Sequence, residues 1–376
     1  MIDLLNIFPI IPPQIIKPKS KVEQTSWEVD ENDFPYEGSC SEQLRFLLNY
    51  AILAPSSHNT QPWIFQIVDN GIELYTDKTR GLAIADPNHR ELTISCGAAL
   101  FNLRIAIRHF GYRDLVEILP ASYQPNLLAR IHLGSKRIVQ QEENFLFRAI
   151  THRATNRKTF DDCPLASSLI AELQSAANST GNWLQIKTLV IPESCRQTVI
   201  NLIAQGDRLQ MANPLFRREL AQWIHGTSNP KQDGIPLSAQ GLDKRWDVLA
   251  PLVSLAIRIL DLGKLQSAQD CQLAIRSPVL MLLGSSEDNP QDWLATGEAL
   301  AHLLLRARVD QVWASFLNQP IQVPQLRSRL KLMFPEHGHP QLLLRLGYAP
   351  EARSTPRRTV DRVLTTDQGN QTRIET

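Results

Sequence analysis

Apolar positions along the chain fall into two rhythms. Leu44, Leu47, Leu48, Ala51 and Ile52 recur at helical spacing, and Trp63-Ile64-Phe65-Gln66-Ile67-Val68 reads as a largely buried strand. Between them lies a dense polar stretch, Ala54-Pro55-Ser56-Ser57-His58-Asn59-Thr60-Gln61-Pro62-Trp63. On a helix-to-strand loop of this kind the Ser, Asn, Thr and Gln side chains can hydrogen-bond a ligand, or they can cap neighbouring backbone. The pattern leaves both readings open. His58 within the loop reads as a packed or solvent-facing imidazole rather than a catalytic one.

Downstream, Asn70-Gly71 signals a hairpin into Gly71-Ile72-Glu73-Leu74-Tyr75. A polar loop from Asp77 to Arg90 follows, and then apolar spacing from Glu91 to Phe110 predicts a long helix stopped by Gly111. The small residues Ser95, Cys96, Gly97 and Ala98 permit close approach, either of another helix or of a flat ligand. Strands are predicted over 115–119 and 127–133, and a helix over 142–150 that runs into Thr151-His152-Arg153-Ala154-Thr155-Asn156-Arg157-Lys158-Thr159-Phe160. Arginines beside hydroxyls at the end of a helix suit a phosphate; the alternative is a generic basic loop.

The organisation then repeats. A helix over 169–177, a polar loop over 178–182 and a strand over 183–186 echo the first unit, with Trp183 in the place of Trp63. Gly297-Glu298-Ala299-Leu300 echoes Gly97-Ala98-Ala99-Leu100, and the longer spacing in the second copy points to an insertion at about 205–276. That insertion holds a helix over 216–223, a turn-rich loop over 226–241 with Asp233-Gly234-Ile235-Pro236, and the apolar run Val248 to Leu262. This run is too short to span a bilayer and contains Arg258 and Asp261, so it predicts a buried amphipathic helix starting near Pro251. The whole insertion reads as a lid. A strand over 279–283, a helix over 292–308, a tight loop at Leu317-Asn318-Gln319-Pro320 and a strand over 341–346 complete the second unit.

With 376 residues and 43% hydrophobic content the chain can bury two cores or one large duplicated core. Lysine plus arginine (39) nearly cancels aspartate plus glutamate (38), which argues against nucleic acid or an acidic membrane surface as a partner. The cysteines, Cys40, Cys96, Cys163, Cys195 and Cys271, are odd in number and lack a Cys-x-x-Cys pair. Neither a disulfide framework nor a metal site is expected, and a reducing, cytoplasmic location fits best. Met1 to Ile16 has no basic n-region and is interrupted by Pro9, Pro12 and Pro13, so no signal peptide is expected. Residues 1–40 read as a poorly structured N-terminal extension lying along the surface.

The two polar loops resemble the paired flavin-binding signatures of the FMN-dependent nitroreductase superfamily. The first, Pro-Ser-Ser-x-Asn-x-Gln-Pro-Trp, stands at Pro55 to Trp63, and the second, Arg-x-[Ser/Thr]-x-Arg, at Arg153 to Arg157. In ordinary nitroreductases one short chain holds both signatures and two chains swap them across a dimer. Here each occurs in only one half, so the chain is similar to the Acg-like branch, in which two halves share one polypeptide. Asp86-Pro87 with Arg90-Glu91-Leu92, Asp233-Gly234-Ile235-Pro236 and Arg357-Arg358 extend the likeness over about residues 40 to 360.

The resemblance implies an α+β, nitroreductase-like fold of two tandem sheet-plus-helix halves forming a pseudo-dimer, with the lid in the second half. The halves would be 41–140 and 141–360, followed by a polar tail over 361–376. It also implies one FMN site. Arg153, Thr155 and Arg157 match the phosphate and ribityl contacts, with Arg357 and Arg358 as C-terminal cations. Pro55, Ser56, Ser57, Asn59 and Gln61 match the partner loop, and Asn318 and Gln319 follow the loop that presents N–H groups to the flavin. The implied activity is that of an oxidoreductase taking hydride from NADH or NADPH and passing electrons to a quinone, a nitro compound or a similar small acceptor. It needs no side-chain acid or base, so no catalytic residue is nominated. A monomer then does the work of a dimer, although fused chains pairing as a homodimer stays open. The other reading is an FMN-binding or sequestering protein whose lid blocks nicotinamide.

Overall fold

The computed structural model describes residues 26–121, 123–178, 186–226, 229–240 and 244–365. The expected Trp183 strand lies almost wholly outside these residues. A capping box at Ser39 and Glu42 starts helix α1 (Cys40–Ala51), which leads through the polar loop to β1 (Trp63–Val68) and β2 (Gly71–Thr76). Helix α2 (Arg90–His109) follows, then β3 (Tyr112–Ile118), β4 (Leu127–Lys136), α3 (Gln141–His152), α4 (Ser167–Asn178) and β5 (Ile186–Val190). Helix α5 (Glu193–Ala212) opens the insertion. It continues through α6 (Pro214–Gln222), the short β6 (Ile224–His225) and β7 (Ile235–Pro236), α7 (Ala250–Ile259) and α8 (Gly263–Ile275). The remainder is β8 (Val279–Ser285), α9 (Pro290–Val309), β9 (Trp313–Phe316), α10 (Gln319–Gln322), α11 (Pro324–Met333), β10 (His339–Gly347), α12 (Val360–Val363) and β11 (Leu364–Thr365).

The strands form two principal sheets, β11-β1-β2-β4-β3 and β5-β8-β10-β9, and the expected α+β architecture with two sheet-plus-helix units is what the chain adopts. Every pairing within them is antiparallel except β11 on β1, where Phe65 lies opposite Leu364. The last strand thus leaves the second unit and completes the sheet of the first, which draws residues 355–358 past the loop after α1.

Helices α2 and α9 cross at the centre, and glycine sets their distance. A Cβ on Gly97 would lie 2.1 Å from the Leu294 carbonyl oxygen, and one on Gly297 would lie 2.0 Å from that of Ile94. Each glycine faces the residue that corresponds to the other's own neighbour, the reciprocity expected of a two-fold interface. Close helix packing is therefore what the small residues 95–98 serve. Arg104 of α2 spans the same junction to Glu298 of α9 at 2.5 Å, and to Asp114 at 2.6 Å.

The Val248–Leu262 run departs from expectation. Its helix has Pro251 in the first turn as predicted, yet it buries only Ala250 and Ile257, while Leu252, Leu255 and Ile259 stand 59%, 51% and 65% exposed. Helix α7 packs chiefly on α6, β6 and the 244–249 segment, which leaves these three side chains in solvent. No helix among the described residues is long and apolar enough to cross a membrane.

Candidate functional site

The loop after α1 is held in an uncommon backbone. His58, Asn59 and Gln61 have φ of 52°, 54° and 52°, a region that non-glycine residues seldom occupy and that persists only when the surroundings fix it. The fixing contacts are visible. Ser56 Oγ accepts from the Gln61 amide at 2.9 Å, and Ser57 Oγ donates to Glu91 Oε2 at 2.6 Å. Asn59 Oδ1 accepts from Arg357 Nη1 at 2.7 Å, while Gln61 Oε1 accepts from the Arg358 amide at 2.8 Å. Glu91 is itself clamped by Arg90 at 2.9 Å and by Gln322 Nε2 at 2.9 Å. The Asp86 to Leu92 stretch therefore supports the loop from behind, with Asp86 capping the Leu92 amide at 2.9 Å.

The basic loop after α3 docks on the other sheet. Thr155 pairs with Ala314 beside β9, and Arg345 Nη2 donates to the carbonyls of Asn156 at 3.1 Å and Lys158 at 3.0 Å while its guanidinium lies 4.1 Å from the Phe160 ring centroid. This arrangement turns Arg153 toward α1: its Nη2 donates to Leu53 O at 3.1 Å, and Arg357 Nη2 donates to Ala54 O at 3.1 Å. Arg153 and Arg357 are each 4% exposed, and Arg157 is half-buried. Among the described residues no carboxylate lies within ion-pair distance of any of the three. Burial lowers Arg153 to about 10, and Arg157 adds to this; burial also lowers Arg157 to about 10, and burial with repulsion from Arg153 lowers Arg357 well below the usual arginine value. The Nε atoms of Arg153 and Arg357 are buried without partners.

Pro55, Ser56, Ser57, Thr155, Arg157, Asn318 and Gln319 line one cavity between the two units. Arg153 and Arg357, unlike Arg157, are not among the residues that line it. Asn59 and Gln61 face away toward the insertion, donating to the carbonyls of Gly234 at 2.9 Å and Gln232 at 2.8 Å. Arg358 is placed apart from the cavity, with Nη1 on Gln61 O at 3.1 Å and Nη2 on Arg362 O at 2.7 Å. His58 lines the cavity; burial holds its imidazole neutral, with pKa about 4, against the opposing pull of Glu91.

The insertion forms the cavity's apolar roof through Phe216, Leu220, Ile224, Ile235 and Ile257. It is tied down by the Asn59 and Gln61 bonds, by Arg157 Nη1 on Ala239 O at 3.4 Å, and by a buried Arg80–Asp233 ion pair.

Several residues at the site have no counterpart in the sequence reading. Trp27 lies in the stretch read as unstructured, yet its indole donates to Thr355 O at 2.9 Å and covers Arg357, 4.9 Å from its guanidinium. Arg345 had a legible signal, a lone arginine in an otherwise apolar strand. Asp207, Gln210 and Gln266 reach the cavity from α5 and α8, which periodicity alone could not place.

No protein-family model matches the chain. Curated relatives do. "Putative NAD(P)H nitroreductase Rv3131" of Mycobacterium tuberculosis is 28% identical over 330 residues, covering 86% of this chain and 91% of its own. "Putative NAD(P)H nitroreductase acg" of the same organism is 27% identical, covering 86% and 95%. "Probable NAD(P)H nitroreductase PigM" of a Serratia strain is 23% identical, covering 87% and 94%. Among solved structures, the FMN-dependent nitroreductase NfnB from Mycobacterium smegmatis aligns over 61% of this chain and 100% of its own at 10% identity and a TM-score of 0.39. Over most of its length, then, the chain is similar to proteins named putative or probable NAD(P)H nitroreductases.

Proposed function

We propose that the chain is an FMN-binding oxidoreductase of the nitroreductase kind, built from two halves at about 41–140 and 141–360, that draws reducing equivalents from NADH or NADPH and delivers them to a quinone, nitro compound or similar small acceptor. The observation that supports it most is the trio Arg153, Arg157 and Arg357. Arginine cannot shed its proton in water-like conditions, so buried guanidinium groups with no acid beside them need an anion. A phosphate dianion satisfies all three and the unpartnered Nε atoms. Ser56, Ser57, Thr155, Asn318 and Gln319 would then hold the ribityl chain and ring, against the apolar roof. When bound, the flavin supplies hydride transfer chemistry, while the chain's own residues bind, orient and exclude water.

The ties between lid and loop support a second reading, in which the insertion shuts nicotinamide out and the protein holds FMN with little turnover. An absorption spectrum separates the two. The oxidoreductase reading expects a yellow protein bleached by anaerobic NADPH or NADH; a spectrum bleached by dithionite alone contradicts it. In that event Asp233→Ala, which cuts the Arg80 ion pair and the Asn229 bond at 2.9 Å, should restore reduction by nicotinamide if the lid is the block.

A further inference from the structure

Among the described residues, the first sheet ends in an unguarded edge. Its order β11-β1-β2-β4-β3 leaves β3 bonded on one side only, to β4, and no other described group bonds to the main chain of 112–118. Alternate residues of such a strand direct N–H and C=O groups outward, a template for another strand. The other sheet edges are shorter: β11 has 2 residues, β5 has 5, and β9 has 4 with Thr155 bridged to it, against 7 in β3. Neither the lysine nor the proline that commonly blunts an edge stands within Tyr112–Ile118.

The two faces of β3 differ. Asp114 turns to α2, where Arg104 holds it at 2.6 Å and Arg108 at 2.7 Å, while Arg113, Leu115 and Glu117 alternate with it and are all exposed. Leu115, at the centre, is 55% exposed. Among the described residues no acid lies within ion-pair distance of Arg113. Glu117 reaches only Arg130, at 3.9 Å, and Arg130 is already engaged by Glu73 at 2.6 Å.

This strand is its own complement. Turned through a two-fold axis at Leu115 and laid antiparallel on a second copy, it sets Leu115 opposite Leu115, Arg113 opposite Glu117, and Glu117 opposite Arg113. Directly opposite side chains in such a pair stand about 4.5–5.5 Å apart at Cβ, near enough for both ion pairs. Sliding the strand either way breaks both pairs, and further sliding sets Arg113 against Arg113 or Glu117 against Glu117, so charge fixes the register. We propose that this edge is an isologous homodimer interface, in which β3 of one copy pairs antiparallel with β3 of another and their sheets become continuous. No residue of β3 lines the cavity, so the inference stands apart from the functional reading.

Sedimentation velocity of the full chain and of charge-reversed variants tests it. Wild-type protein should sediment at twice the 42.5 kDa chain mass. Arg113→Glu and Glu117→Arg each set like charges opposite one another at both ends of the pairing, and each should weaken the dimer about tenfold or more, the worth of several exposed charge pairs. Combining the two substitutions in one chain should restore it. So should an equimolar mixture of the two single variants, whose unlike chains are again complementary; recovery there also shows that each single variant folds. Recovery in either case supports the pairing. A wild-type chain still monomeric at about 100 μM, where a homodimer of micromolar affinity is assembled, overturns the inference. So does a dimer that both reversals leave unchanged, or one that neither the mixture nor the double variant restores.

Discussion

The chain buries two clusters of arginines, and they are built oppositely. At the α2–α9 junction, Arg104 meets Glu298 and Asp114, and Arg108 meets Asp114 at 2.7 Å. Burial would lower Arg104, but Glu298 and then Asp114 more than offset it and hold the guanidinium above its usual value. In the loop cluster, Arg153, Arg157 and Arg357 meet backbone carbonyls, the Trp27 face and one another, and all three are pushed down. The same residue type thus serves two ends. Where carboxylates complete the cluster it fixes the two halves together; where they are missing, the proposed function assigns the opposing charge to an anion from outside.

The largest effect should come from making the second cluster resemble the first. Thr155→Asp sets a carboxylate between Arg153 and Arg157; it should stabilise the flavin-free protein while weakening FMN by more than about a hundredfold, since like charges brought together cost several kcal/mol. Melting temperature without FMN and FMN titration check the two arms. Next, Glu298→Ala removes a fully buried partner of Arg104 and should destabilise the fold by about 3 kcal/mol, as breaking a buried pair does, with FMN affinity unaltered. Chemical denaturation and the same titration decide this. Arg153→Ala should do the reverse, leaving the flavin-free fold intact and weakening FMN by about tenfold to a hundredfold, the worth of one charge-assisted bond of about 1.5–3 kcal/mol.

The smallest effect concerns a buried acid. The folded-state value of Asp207, about 8, stands above the ordinary carboxyl value of about 4. Between those limits the folded chain keeps a proton that the unfolded chain has released, so this group's contribution is full at low pH and is lost as pH rises toward 8. Asp207→Asn should flatten the decline of stability across that window in a series of denaturation curves.

How far the sequence foretells these clusters depends on the range of the contacts. Arg153 and Arg157 were legible because a five-residue spacing after a helix is local, and Pro55 to Trp63 because a polar loop between two apolar patterns is conspicuous. The Gly97 and Gly297 echo was legible as similarity, although only the crossing of α2 and α9 shows that each glycine exists for the other helix. Arg357 depends on β11 pairing parallel with β1 three hundred residues away in sequence, Trp27 on a terminal stretch whose composition suggests no structure, and Asp207 with Asp270 on the meeting of α5 with α8. The exposure of α7 escapes the sequence for a related reason. Periodicity reports an apolar face, and whether anything covers it is a property of the layers around it.

The central claim is that the unpaired arginines exist for a phosphate. The direct measurement is the thermal stabilisation of the flavin-free protein by FMN compared with riboflavin, which has the same ring and ribityl chain without the phosphate. The account predicts a large upward shift with FMN, a small one with riboflavin at the same concentration, and convergence of the two in Arg153→Ala. Equal shifts in the wild-type protein would contradict it.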